Sequence, residues 1–167
     1  LSRNGDYVGA VEAYAEQLQY APQPHQALLN LGTLYAKTGN YKAAIDALVE
    51  ATERRPNFAN GHYNLGLSHL ALGQLDAAAN AFAEAARLNS NSLSHYQLGY
   101  VLRQLNRHQE AIAALERVVP QDAPPTSPEY YAIEKLYGEL DAEQMANAYF
   151  NLGFARNMLG LHQEAIN

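Results

Sequence analysis

Two sets of side chains in this sequence could do chemistry. The first is the histidines, six in all, with His62 and His69 seven residues apart and so on one face if the segment is helical. At about 1.5 Å per residue they would stand roughly 10 Å apart, too far to share a zinc ion that sits about 2 Å from each ligand nitrogen. Their positions explain them otherwise. His62 and His95 recur at a spacing where Tyr149 later stands, and His108 and His162 where Tyr7, Tyr41 and Leu75 stand, which reads as packing. Ser90, Ser92 and Ser94 lie in a short polar stretch without the strand, turn and helix that expose a catalytic serine. Cysteine is absent, and neither a Walker loop nor a dinucleotide glycine fingerprint occurs. Glu50, Glu84, Glu110 and Glu164 read as a solvated helix face. No catalytic residue, metal or cofactor is expected. The second set is a row of carboxamides, Asn30, Asn64, Gln97 and Asn151, each directly before a Leu-Gly pair. A carboxamide both donates and accepts, so such a row could pair with the backbone of an extended peptide whatever its sequence. The plainer alternative is that these amides cap turns or face water.

The bulk properties exclude several classes. With 48% apolar residue types over 167 residues, the chain can bury a sizeable core and does not have a disordered composition. The net charge of −6 argues against nucleic acid as a partner, because displacing counterions from phosphate needs a basic surface. No apolar run approaches the roughly 20 residues that cross a bilayer, so membrane insertion is not expected. The opening residues do not form a signal peptide and carry no Met, which leads to the expectation of a fragment. The compartment is left open, with the cytoplasm favoured.

The positioning elements emerge when the chain is overlaid on itself. Leu31-Gly32 recurs as Leu65-Gly66 after 34 residues, as Leu98-Gly99 after 33 and as Leu152-Gly153 after 54. The same offset of 34 links Gly5, Gly39 and Gly73, and links Ala10, Ala44 and Ala78. One complete unit runs Leu28, Leu31-Gly32, Tyr35, Gly39, Ala44, Leu48, Ala51, Pro56. This order and period resemble the tetratricopeptide repeat, over nearly the whole chain. The tryptophan slot of that motif holds Leu28, His62, His95 and Tyr149, and the tyrosine slot holds Tyr35, His69, Leu102 and Arg156, so the third and fourth units depart furthest.

The expected fold is all-α, a right-handed solenoid of antiparallel helix hairpins forming one domain. Its parts are a second helix of a partial repeat at 6–22, full repeats at 25–58, 59–91 and 92–119, and a truncated repeat at 142–167. Within a hairpin, Gly32, Gly66, Gly99 and Gly153 should allow close approach of the paired helix, with Ala44, Ala78 and Ala111 as the opposing small surface. Leu48, Phe82 and Leu115 are expected to fill the space between hairpins. Residues 120–141 form an insertion in which Pro120, Pro124, Pro125 and Pro128 forbid a continuous helix. Ser127 and Pro128 there suit the start of a short tyrosine-rich helix, ended by Gly138. Asp141 with Gln144 has capping-box spacing for the helix that follows.

The resemblance implies a concave side lined by the first helix of each hairpin. Periodicity assigns sixteen residues to that face: Leu29, Asn30, Thr33 and Ala36; Tyr63, Asn64, Leu67 and Leu70; Tyr96, Gln97, Tyr100 and Arg103; Phe150, Asn151, Phe154 and Asn157. They include five aromatics and one charge, where an ordinary solvated face would be mostly charged. Asn30, Thr33, Tyr63, Asn64, Leu67, Tyr96, Gln97, Tyr100, Arg103, Phe150, Asn151 and Phe154 are the candidate peptide-binding residues. A protein-interaction scaffold is the leading function. The alternatives are the substrate-recognition arm of a larger enzyme, as asparagine ladders in tetratricopeptide glycosyltransferases suggest, and a homo-oligomer stacked end to end. Family members that hold a C-terminal carboxylate use Lys, Arg and Asn in slots that here carry Leu29, Thr33, Tyr96 and Tyr100, so that ligand is not expected.

Overall fold

A computed structural model describes Gly9 and residues 22–89, 91–119 and 140–160. Among these residues the chain is all-helical, with helices α1 (Pro24–Lys37), α2 (Tyr41–Arg54), α3 (Ala59–Ala71), α4 (Leu75–Leu88), α5 (Ser92–Gln104), α6 (His108–Leu115) and α7 (Ala142–Met158). Apart from Gly9 and Pro22, the helix expected over 6–22 lies outside the described residues, as do the short helix of the insertion and the helix beginning at 162. The chain divides into two compact units, Leu1–Leu88 and Asn89–Asn167.

Each hairpin turns on one backbone device. After α1, Gly39 takes φ +80°, and the amides of Asn40 and Gly39 return to the carbonyls of Tyr35 and Ala36 at 2.9 and 3.0 Å. This Schellman closure satisfies carbonyls that the helix end would otherwise orphan. The turn after α3 repeats it with Gly73, at φ +69°, and bonds from Gln74 to His69 and from Gly73 to Leu70. After α5 the same place holds Asn106 at φ +58°, asparagine being one of the few side-chain-bearing residues that tolerate this region.

Packing inside the hairpins differs in one respect from the pattern expected. In the first unit α1 packs on α2 and α3 on α4; in the second, α5 packs on α6. Ala44, Ala78 and Ala111 are fully buried, and the Ala44 carbonyl oxygen would stand 3.2 Å from a Cβ on Gly32, but the nearest atoms facing the three glycines belong to the large residues. A Cβ added to Gly32 would stand 2.6 Å from Leu48 Cγ, and one added to Gly66 would stand 2.7 Å from two ring carbons of Phe82. One added to Gly99 would collide with the Leu115 side chain, whereas at Gly153 the expected close approach is not seen, nothing among the described residues lying within 4 Å of an added Cβ. Leu48, Phe82 and Leu115 therefore fill notches within their own hairpins rather than only the space between hairpins. Burying such a side chain is worth about 1.5–3 kcal/mol, which exceeds the ~1 kcal/mol that glycine costs in a helix interior.

Between hairpins of the first unit, α2 packs on α3, and Gly61 admits Phe58 and Thr52, whose nearest atoms would be 2.8 and 3.0 Å from an added Cβ. In the second unit α7 packs on both α5 and α6. Asp141 and Gln144 form the expected capping box: Asp141 Oδ1 accepts from the Gln144 amide at 2.7 Å, and Gln144 Oε1 from the Asp141 amide at 3.1 Å. Helix α6 ends at Leu115, four residues before the expected 119, and the chain tightens into i→i−3 bonds from Arg117 and Val118. Pro120 follows, and a proline disfavours helical backbone in the residue before it.

Candidate peptide-binding face

On α1 and α3 of the first unit, the polar side chains turn back onto their own helices. The Thr33 hydroxyl donates to the Leu29 carbonyl at 2.8 Å, Asn64 Nδ2 to the Asn60 carbonyl at 2.9 Å, and the buried Ser68 hydroxyl to the Asn64 carbonyl at 2.9 Å. Such i→i−4 bonds are the usual way for a short polar side chain to be satisfied in a helix. Asn30 Oδ1 accepts from Gln26 Nε2 at 3.3 Å. Leu29 is buried in the core. The Tyr63 ring lies 5.6 Å from that of Phe82, so it covers the hairpin interior as well as bordering the face. Leu67 and Leu70 are half-buried.

In the second unit the same slots carry larger groups. Tyr96 is buried, with Asn147 of α7 beside its hydroxyl. Burial chiefly, and then Tyr100, Asp141 and Glu143, push its ionisation above the ordinary tyrosine range. Gln97 and Tyr100 are half-buried. Asn151 is buried, and its Nδ2 donates to the Asn147 carbonyl at 2.7 Å. The carboxamide row is thus not uniform: Asn64 and Asn151 spend a donor on their own helices, and Asn151 faces inward.

Tyr100, Arg103 and Phe154 come together. The Arg103 guanidinium lies over the Tyr100 ring at 5.9 Å and over the Phe154 ring at 5.1 Å. The His108 ring approaches Phe154 edge-on at 6.2 Å. Phe154 is 37% exposed and Phe150, one turn earlier on α7, is 66% exposed. Met158, one turn later, is 54% exposed and completes the stripe. Met158 is absent from the sixteen positions assigned by periodicity, although the i, i+4, i+8 spacing from Phe150 through Phe154 leads directly to it.

The flanks of this face are held by ordinary packing. Arg156 of α7 reaches Glu116 beyond the end of α6 at 2.9 Å, with both side chains largely covered. His95 is buried, and desolvation first and the Arg117 charge second hold its ring below the usual histidine range, which favours the neutral form. His62 Nε2 lies 3.0 Å from the Pro56 carbonyl oxygen, a partner that suits a structural ring. Among the described residues no three His, Cys, Asp or Glu side chains converge as metal ligands would, and no helix is long and apolar enough to cross a membrane.

Comparison with known proteins gives a consistent picture. Two family models, both described as tetratricopeptide repeat, match residues 1–65 and 63–128. A crystal structure of MamA is similar at 28% identity and a TM-score of 0.73, covering 98% of this chain and 84% of that one. A crystal structure of MamA protein is likewise 28% identical, with a TM-score of 0.73 and coverage of 98% and 79%. MamA AMB-1 shares the fold at 22% identity and a TM-score of 0.71, covering 98% of this chain and 79% of that one. No curated protein matches the chain at a significant level.

Proposed function

We propose that this chain, which belongs to the tetratricopeptide repeat family and is a protein-interaction scaffold, holds a peptide segment of a partner protein on its first-helix faces, chiefly on α5 and α7. The supporting observation is the stripe of Phe150, Phe154 and Met158, exposed at 66%, 37% and 54% on successive turns of α7. Single exposed apolar residues are ordinary on any surface, whereas a contiguous row bordered by polar groups is typical of an interaction site. Arg103 of α5, its guanidinium over both the Phe154 and Tyr100 rings, borders that row, and Gln97 lies on the same helix. In the first unit, Asn30, Thr33, Tyr63, Asn64 and Leu67 form a neutral first-helix face of their own, with weaker demands for a ligand.

Selection of short random peptides on the immobilised chain tests this reading. Ligands are expected, and Phe150→Ala with Phe154→Ala should weaken them by about 2 kcal/mol, as truncated aromatic anchors often do, with the helical circular dichroism unchanged. Recovery of no ligand, or full retention of affinity by the double variant, would remove the basis for the proposal.

A further inference from the structure

Arg103 is the single charged residue on the face assigned by periodicity, and its partners set it apart from other arginines of the chain. Arg54, Arg87, Arg107 and Arg156 each hold a glutamate oxygen at 2.6–2.9 Å. The Arg103 guanidinium has no hydrogen bond or ion pair among the described residues, and its Nε is buried without an acceptor. Its neighbours are the rings of Tyr100 and Phe154. Aromatic rings stabilise the delocalised charge but offer no lone pair to the guanidinium N–H donors. The group is therefore partly desolvated with its hydrogen-bonding capacity unspent.

From this geometry, and resting on the peptide-binding reading above, we infer that the α5–α7 face captures an internal aspartate or glutamate of its peptide partner on Arg103, with bulky apolar neighbours of that residue on Phe150, Phe154 and Met158. A carboxylate offers two acceptors at a spacing that matches the guanidinium fork, and such charge-assisted pairs are about twice as strong as neutral hydrogen bonds. The capture is of an internal residue because the apolar stripe extends a turn to either side of Phe154, which leaves apolar surface both before and beyond the cation. The chain's net charge of −6 does not forbid an acidic ligand. Asp141 and Glu143, the acidic residues at the start of α7, precede Phe154 by eleven or more residues, roughly 16 Å along the helix. That exceeds the Debye length of about 8 Å at physiological salt. Glu116 is already paired with Arg156.

Random peptide pools with amidated C-termini, identical except for Glu, Gln or Lys at the central position, provide the test. They are captured on the immobilised full chain and read by mass spectrometry. The Glu pool is expected to exceed the Gln pool about tenfold, the range of one charge-assisted contact, with aromatic or long aliphatic residues enriched beside the Glu. Arg103→Gln should erase that preference, so that the Glu and Gln pools are captured equally with the helical signal intact, and Arg103→Lys should restore only part of it because lysine lacks the planar fork. Equal capture of the Glu and Gln pools by the unmodified chain, or a Glu preference that survives Arg103→Gln, overturns this inference and leaves peptide binding standing. Failure to capture any pool overturns both.

Discussion

The faces of α1 and α3 on one side, and of α5 and α7 on the other, occupy the same slots of the same repeat and have opposite chemical needs. In the first unit, Thr33, Asn64 and Ser68 each bond the carbonyl of the preceding turn, Leu29 is buried, and Tyr63 rests against Phe82. In the second, Arg103 sits among rings without an acceptor, and Phe150 and Met158 stand mostly in solvent. The α1–α2, α3–α4 and α5–α6 hairpins are built alike, with a notched first helix, a large side chain set into the notch and a left-handed residue in the turn, while Gly153 of α7 has nothing among the described residues within 4 Å of where its Cβ would be. A repeat can therefore change what its surface demands without any change in how the hairpin is built.

The largest effects should come from that shared scaffold. Gly66→Leu in the first unit and Gly99→Leu in the second should each destabilise by about 3 kcal/mol, the upper range of core overpacking, read as a shift of the denaturant midpoint. A silent Gly99→Leu beside a damaging Gly66→Leu would mean that the two hairpins are not built alike.

A smaller effect separates the ion pairs of the two units. Arg156→Met removes a pair that joins α7 to the end of α6, its side chains only 19% and 34% exposed. Its cost should fall between those of exposed and fully buried pairs, at about 1.5 kcal/mol. Glu50→Gln breaks the exposed pair with Arg54 inside α2, where about 0.3 kcal/mol is at stake. Equal midpoints for the two variants would show that the second unit's ion pair adds nothing beyond local helix support.

The smallest effect concerns the first-unit face. Thr33→Val keeps the side-chain shape and removes only the bond to Leu29, so peptide capture should change by no more than about twofold, well under the tenfold that 1.4 kcal/mol represents. A larger loss, measured with the same peptides that Phe150→Ala and Phe154→Ala weaken, would make the first unit an equal partner in binding.

The hairpins were legible in the sequence because their rules are local and repeated. Glycine in the turns, Asp141 three residues before Gln144 and the spacing of Leu-Gly pairs act within a few residues of themselves, so each appears directly in the order of residues. Periodicity also placed Tyr100, Arg103 and Phe154 on first-helix faces. It did not distinguish the exposed Phe150 from the buried Asn151 and Tyr96, nor reveal that Leu48, Phe82 and Leu115 enter the glycine notches. Those outcomes depend on which neighbouring helix covers which part of a face. Asn151 bonds the Asn147 carbonyl of its own helix, and Asn147, distant from Tyr96 in the chain, is brought beside it only by the packing of α7 on α5. The residue types and their period were enough to specify the helices and their pairing, while tertiary packing decided which side chains of one periodic face remain in water and which have already been satisfied.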